Sequence, residues 1–288
     1  VTVGNSPYFT YTGQCEVVDD GDGDWRIKFL TDGEFTSNLN VPIDVFLVGG
    51  GGAGGIGFYE WDYAAFGGGG SGGGGGYTIT HKNFSLEKET YLIDIGDGGT
   101  ADSRDGKLTS AFGFITLGGT GGSDCIGSTA GMNKVGIGGS NGGTGAGGSS
   151  TGSVPGSNGE TGQGRTTAEF GEDGATLYAG GGGGGKGQDS GNFSAVVAGG
   201  IGGGGDSGVD AIKNTGGGGG GGNGENQLTS GGNGGSGIVV IRNARENATS
   251  ISNAIPKFTY SGMYLIVDEE DKIIGKTNGI WKVKFLSS

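Results

Sequence analysis

Gly67-Gly68-Gly69-Gly70-Ser71-Gly72-Gly73-Gly74-Gly75-Gly76 is an unbroken run of glycine but for one serine, and the fold turns on whether such a run is coil or structure. Glycine has no side chain to bury and loses the most conformational freedom on ordering, so a run of this kind ordinarily reads as linker. Its surroundings argue otherwise. Further runs lie at 180–185 and 216–222, and short apolar or β-like segments at 41–48, 77–80, 91–95, 112–117 and 237–241 separate them at intervals suited to one folded body. Glycine supplies 78 of 288 residues and hydrophobic residues only 32 %, yet the chain keeps 13 Phe, 9 Tyr and 3 Trp. Disordered segments are poor in aromatics; this chain has rings to pack.

Collagen is the first glycine-rich structure to test. It needs strict Gly-X-Y and abundant proline, and four prolines among runs of consecutive glycine exclude it. Polyglycine II packing fits better. Each run would be a left-handed three-residue helix rising about 3.1 Å per residue, so that 67–76 would extend about 31 Å. Such a helix has no internal hydrogen bonds, and its outward-facing N–H and C=O groups must be satisfied when buried. Neighbouring runs can do this because no Cβ holds them apart, with weak Cα–H···O contacts in addition. The ordering entropy is of order 1–2 kcal/mol per residue, so many runs must pack together and against an apolar layer. Candidates for that layer are Val45, Phe46, Leu47, Val48, Ile79, Leu92, Ile93, Ile95, Phe112, Phe114, Ile115, Leu117, Leu177 and residues 238–241. The expected fold class is all-β with packed polyglycine II helices: a short-strand β-sandwich or roll beside a glycine-helix bundle, flanked by small β-hairpin units.

Those flanking units are an internal repeat. Phe9-Thr10-Tyr11-Thr12-Gly13 recurs as Phe258-Thr259-Tyr260-Ser261-Gly262, Val18-Asp19-Asp20 as Val267-Asp268-Glu269, and Trp25-Arg26-Ile27-Lys28-Phe29-Leu30 as Trp281-Lys282-Val283-Lys284-Phe285-Leu286. Alternation of Trp, Ile and Phe with Arg and Lys marks a hairpin strand with one apolar face. The acidic middle, which differs in length between the copies, is a turn or, on its alternating carboxylates, a calcium loop. Trp25 occupies the position where the EF-hand pattern needs glycine, which favours the turn. The expected division is residues 1–34 as the first small β unit, 35–243 as the glycine-rich domain, 244–257 as linker and 258–288 as the second small unit. The chain opens at Val1 without a signal-peptide pattern, as expected of a piece of a longer protein, with tandem continuation an expectation.

A net charge of −13 leaves no basic patch for nucleic acid or an anionic membrane, and no stretch approaches a membrane span. Cys15, Cys125 and His81 cannot make a four-ligand zinc site. Nothing in the spacing of the two cysteines requires a disulfide. Residues 180–185 followed by Lys186 resemble a phosphate loop, but Gly187 stands where Ser or Thr must meet magnesium. His81 is the one possible base for a triad and lacks a nucleophile elbow; a surface histidine accounts for it. No cofactor, metal or catalytic residue is expected, and the protein is not expected to be an enzyme.

Val45-Phe46-Leu47-Val48 followed by four glycines, the long run ending at Tyr77, Gly113-Phe114-Ile115-Thr116-Leu117-Gly118-Gly119, and Gly237-Ile238-Val239-Val240-Ile241-Arg242 together resemble the glycine-rich domains of phage and prophage tail-fibre-like proteins. The terminal motif is similar to one that accompanies such domains in gut Firmicutes and their phages. A more distant likeness is to the polyglycine-helix adhesins of T-even-like phages, and another to the glycine-rich extracellular regions of certain receptor tyrosine kinases, whose cysteine content this chain lacks. The phage resemblance implies a receptor-binding module in a virion tail or on an extracellular surface, with a bacterial surface protein or glycan and other tail-fibre modules as partners. A structural spacer or a bacterial adhesin is the alternative.

The candidate binding segment breaks the composition. Residues 56–66 carry Phe58, Tyr59, Trp61, Tyr63 and Phe66, with Glu60 and Asp62 between them. Tyr and Trp combine large rigid area with a polar edge, as binding surfaces require; the other reading is that these rings cap the glycine block. The polar inserts 188–197, 206–215 and 225–230 are expected as loop tips.

Overall fold

A computed structural model describes residues 5–6, 8–21, 23–60, 66–125, 157–163, 170, 177–189, 192–193, 195–224, 229–245, 264–267 and 282–285. No helix occurs among them. In chain order the strands are β1 (Asn5–Ser6), β2 (Phe9–Tyr11), β3 (Cys15–Gly21), β4 (Asp24–Phe29), β5 (Gly33–Ser37), β6 (Val41–Val48), β7 (Phe58–Glu60), β8 (Phe66–Gly68), β9 (Thr78–Leu86), β10 (Thr90–Asp94), β11 (Thr109–Ala111), β12 (Phe114–Thr116), β13 (Gln188–Asp189), β14 (Asn192–Phe193), β15 (Ile238–Asn243), β16 (Tyr264–Val267) and β17 (Lys282–Phe285). They form four antiparallel sheets, of order β1-β2-β5-β10-β11-β12, β3-β4-β15-β6-β9, β14-β13-β8-β7 and β16-β17.

β6 and β15 lie at the middle of the five-stranded sheet, and their near-continuous apolar sequences follow from burial on both faces. Alternate residues divide between two cores. Val45, Leu47, Val239 and Ile241 join Ile27 and Phe29 of the same sheet and Phe9, Tyr11, Phe35 and Ile93 of the six-stranded sheet, so the two sheets share one core. Its centre is aromatic, with the Phe29 ring 5.2 Å from Phe35 and 4.8 Å from Tyr11. On the opposite face Phe46, Val48, Ile238 and Val240 meet Phe170, Tyr178 and Ala179.

The apolar layer expected from the sequence is buried at residues 45–48, at Ile93, Ile95 and Phe112, and at residues 238–241, but Leu92, Ile115 and Leu117 are exposed. The segment 112–117 also differs from a single strand. Phe112 and Gly113 both have positive φ, 54° and 79°, and make the two-residue turn between β11 and β12. Two consecutive positive φ values are what a tight hairpin of the right twist demands.

Copy one of the repeat is woven into the body. β2 pairs with β5, and β4 lies between β3 and β15. The acidic middle is the β3–β4 turn, with Gly21 and Gly23 at φ 79° and 84°. Cys15 and Cys125 are buried and are not joined in a disulfide.

Between the sheets, the glycine runs hydrogen-bond to one another with a period of three residues. Run 49–57 illustrates it. The N–H groups of Gly49, Gly52 and Gly55 donate to the carbonyls of Tyr77, Gly74 and Ser71; those of Gly50 and Ala53 donate to Lys107 and Arg104; those of Gly51, Gly54 and Gly57 donate to Gly235, Gly232 and Thr229. Its carbonyls receive three further neighbours: Gly50, Ala53 and Ile56 accept from Gly119, Gly122 and Cys125; Gly52 and Gly55 accept from Gly219 and Gly222; Gly51 accepts from Gly99. The donor–acceptor distances are 2.7–3.0 Å. One run is thus surrounded by six segments, and every N–H from 49 to 57 except that of Ile56 donates to a backbone carbonyl, the kind of pairing that burial demands. At Gly51 a side chain has no room: its Cβ would fall on the carbonyl of Gly217.

The runs also continue the registers of the strands. Val48 pairs with Thr78 where β6 meets β9; Gly49–Tyr77, Gly52–Gly74 and Gly55–Ser71 follow in step, and Phe58 pairs with Gly68 where β7 meets β8. β15 does the same beside β6, from Ile238↔Val48 through Gly235, Gly232 and Thr229 opposite Gly51, Gly54 and Gly57.

Candidate binding site at the far end of the glycine runs

Position follows from register. Residues 49–57 leave β6 and residues 69–77 return to β9, so the chain between them emerges at the end of the runs remote from the two sheets that share a core. There β7 and β8 form a hairpin, Phe58↔Gly68, Tyr59↔Gly67 and Glu60↔Phe66. The sheet is widened by β13, with Gln188↔Gly67 and Asp189↔Phe66. This continues the ladder in which Gly182 and Gly185 donate to Gly73 and Gly70.

Of the candidate residues, Phe58, Tyr59, Glu60 and Phe66 therefore lie at the far end of one long hairpin. Phe58 and Tyr59 are half-buried on β7. Glu60 and Phe66 are paired through their backbones. Trp61, Asp62 and Tyr63 lie outside the described residues.

Polar side chains tie neighbouring segments to this end. Asp124 Oδ1 accepts from Ile56 N–H at 2.6 Å, and the Asp124 carboxylate pairs with Arg104. Asn223 Oδ1 accepts from Lys186 N–H at 2.9 Å, while Thr229 Oγ1 donates to the Asn223 carbonyl at 2.6 Å. These bonds fix the places where runs give way to loops. Sequence reasoning did not single out Asp124, because a lone carboxylate after a glycine run carries no pattern of its own.

The inserts separate into different roles. Residues 188–193 contribute β13 and β14 to the end sheet; residues 225–228 lie outside the described residues. Segment 206–215 is not a tip. It folds back along the runs, with Ile212 N–H donating to Gly203, Ala211 N–H to Asn233, and the Val209 carbonyl accepting from Gly220. Its Val209 and Ile212 are exposed.

The phosphate-loop resemblance has a backbone explanation. Each N–H from Gly180 to Gly185 is committed, in turn to the carbonyls of Gly202, Glu160, Gly73, Gly205, Ser157 and Gly70, which leaves none to cradle an anion. His81 stacks on Phe114 with centroids 3.6 Å apart. Among the described residues no three of His, Cys, Asp and Glu are grouped as metal ligands, and no helix is long and apolar enough to cross a membrane.

A family model for the glycine-rich domain matches residues 30–244. The chain belongs to the glycine-rich domain family. No curated protein matches it. The matched glycine-rich domain opens just after β4 and closes just after β15. In this chain, then, the strands β1 to β4 complete two sheets of the glycine-rich domain from outside the matched span.

Proposed function

We propose that this glycine-rich domain is a receptor-binding module of a phage tail fibre, one that recognises a surface protein or glycan of a bacterial host. On this reading the glycine runs are polyglycine II helices beside a β-sandwich, and the bundle holds its loops at fixed separations. The observation that carries the proposal is the place of the aromatic segment: Phe58 and Tyr59 stand on a hairpin at the far end of the runs. Loops held by a rigid scaffold are where recognition residues concentrate, and aromatic anchors supply much of the energy of binding surfaces. The setting would be a virion tail or an extracellular surface.

The test is binding of the purified, fluorescently labelled chain to a panel of intact gut bacteria, beside a variant with Phe58, Tyr59, Trp61 and Tyr63 changed to serine. Strain-selective binding that falls at least about tenfold in the variant is the expected result, equivalent to about 1.4 kcal/mol of binding energy. A folded chain that binds no strain overturns it. That outcome favours a second reading, a stiff spacer in a tail fibre or bacterial surface protein, which is supported by the unbroken registers that tie the sheets at both ends of the runs together.

A further inference from the structure

The second copy of the repeat repeats more than sequence. In β3–β4 the pairs are Cys15↔Phe29, Glu16↔Lys28, Val17↔Ile27 and Val18↔Arg26; in β16–β17 they are Tyr264↔Phe285, Leu265↔Lys284, Ile266↔Val283 and Val267↔Lys282. Position for position the register is the same. The first hairpin does not stand alone, however. β4 gives its other edge to β15 through Phe29↔Val239, Lys28↔Val240, Ile27↔Ile241 and Arg26↔Arg242, and its Ile27 and Phe29 are buried in the shared core. Among the described residues no third strand joins β16 or β17. Two-stranded hairpins are marginal in water.

We infer that the β16–β17 hairpin is a docking element for a second glycine-rich body of this sequence, which it completes by offering the edge of β17 to that body's counterpart of β15. Two features fit beyond the register. Val283 and Phe285 hold the register positions of Ile27 and Phe29, so the apolar alternation is retained in the sequence. The charges are retained as well. Asp20 binds Arg26 of its own hairpin at 2.8 Å and Arg245, just beyond β15, at 3.0 Å; the repeat places Glu269 and Lys282 at the positions of Asp20 and Arg26. The sequence of the second copy thus keeps the acidic and basic residue types that meet Arg245 in the first. Each junction between bodies is then built by the rule that joins β4 to β15 within one.

The test is a tandem chain, residues 1–288 followed directly by a second copy of residues 31–245, in which β16–β17 is the hairpin available to the second body. Amide exchange at residues 282–285 is expected to slow at least about 100-fold relative to the single chain, as core strands do on gaining a partner. Changing Val283 and Phe285 to Asp in the tandem chain should abolish protection in the second body while the first, with its own β3–β4, stays protected and reports folding. Equal exchange at 282–285 in single and tandem chains overturns the inference. So does a second body that remains protected in the Asp variant.

Discussion

A methyl group added at Gly51 would meet the carbonyl of Gly217, which is backbone and itself hydrogen-bonded. Nothing flexible stands in the way to yield. Overpacking a side-chain core costs about 1–3 kcal/mol, and a backbone obstacle places Gly51→Ala at or above the upper end, about 3 kcal/mol or more. Gly113 is a different kind of glycine, with φ at 79° and open space around its Cβ direction; Gly113→Ala bears only the left-handed strain of about 1–2 kcal/mol. Urea midpoints of the two variants check the order, and equal losses would contradict the packing argument. A second residue-scale effect concerns Asp20. Burial works to raise its pKa, but the hydrogen bonds and charge of Arg26, and then of Arg245, outweigh burial and hold the carboxyl below its ordinary value. Its contribution to stability is present above the unfolded value of about 4 and is lost as pH falls through the lowered folded value. Asp20→Asn should therefore lose stability at pH 6 and much less at pH 2, a convergence that urea titrations at the two pH values would reveal. Single residues were also where sequence reading failed. Leu92, Ile115 and Leu117 look like core but are exposed, because alternation in and just beyond strands of three to five residues leaves the inward face undetermined, and a phenylalanine at positive φ, such as Phe112, has no local signature.

At the scale of elements, strongly patterned segments were legible. The apolar stretches 41–48 and 237–241 fall in β6 and β15, and the repeated Trp-Arg-Ile-Lys-Phe-Leu motif falls in β4, because burial on both faces and strict alternation both leave marks in sequence. The hairpin nature of each repeat was legible for the same reason. Pairing between distant elements was not. Nothing in Gly-Gly-Gly distinguishes a partner at 104–107 from one at 229–235, since the information that selects partners lies at the ends of the runs, in strands whose register the runs inherit. The same blindness hid the fate of segment 206–215, whose polar composition suits a loop tip but whose backbone lies along the runs. As for the binding site, the aromatic segment was visible from composition, and its position at the end of the hairpin follows from two antiparallel runs of matched length. The polar ties made by Asp124 and Asn223 were invisible without it.

For the molecule as a whole, a large part of the interior is peptide backbone. Ordinary domains unfold with a heat-capacity increase of about 12–15 cal/mol/K per residue because exposed apolar surface raises it, while exposed polar surface lowers it. With hydrophobic residues at 32 % and glycine at 78 of 288 positions, the increase here should fall clearly below about 12 cal/mol/K per residue. Scanning calorimetry of the intact chain decides this, and a value at or above the ordinary range would mean that apolar burial dominates after all.

The registers shared by strands and runs bear on how the molecule carries load. A force applied between the tip of the long hairpin and the sheets at its base acts along the run axes, across ladders that connect run 49–57 to six neighbours. Bonds perpendicular to the pull are loaded together in shear, so none can fail alone. A force across the axes would instead open a ladder one rung at a time. The body is therefore mechanically anisotropic, stiff along the direction in which the aromatic hairpin projects and weaker to sideways peeling.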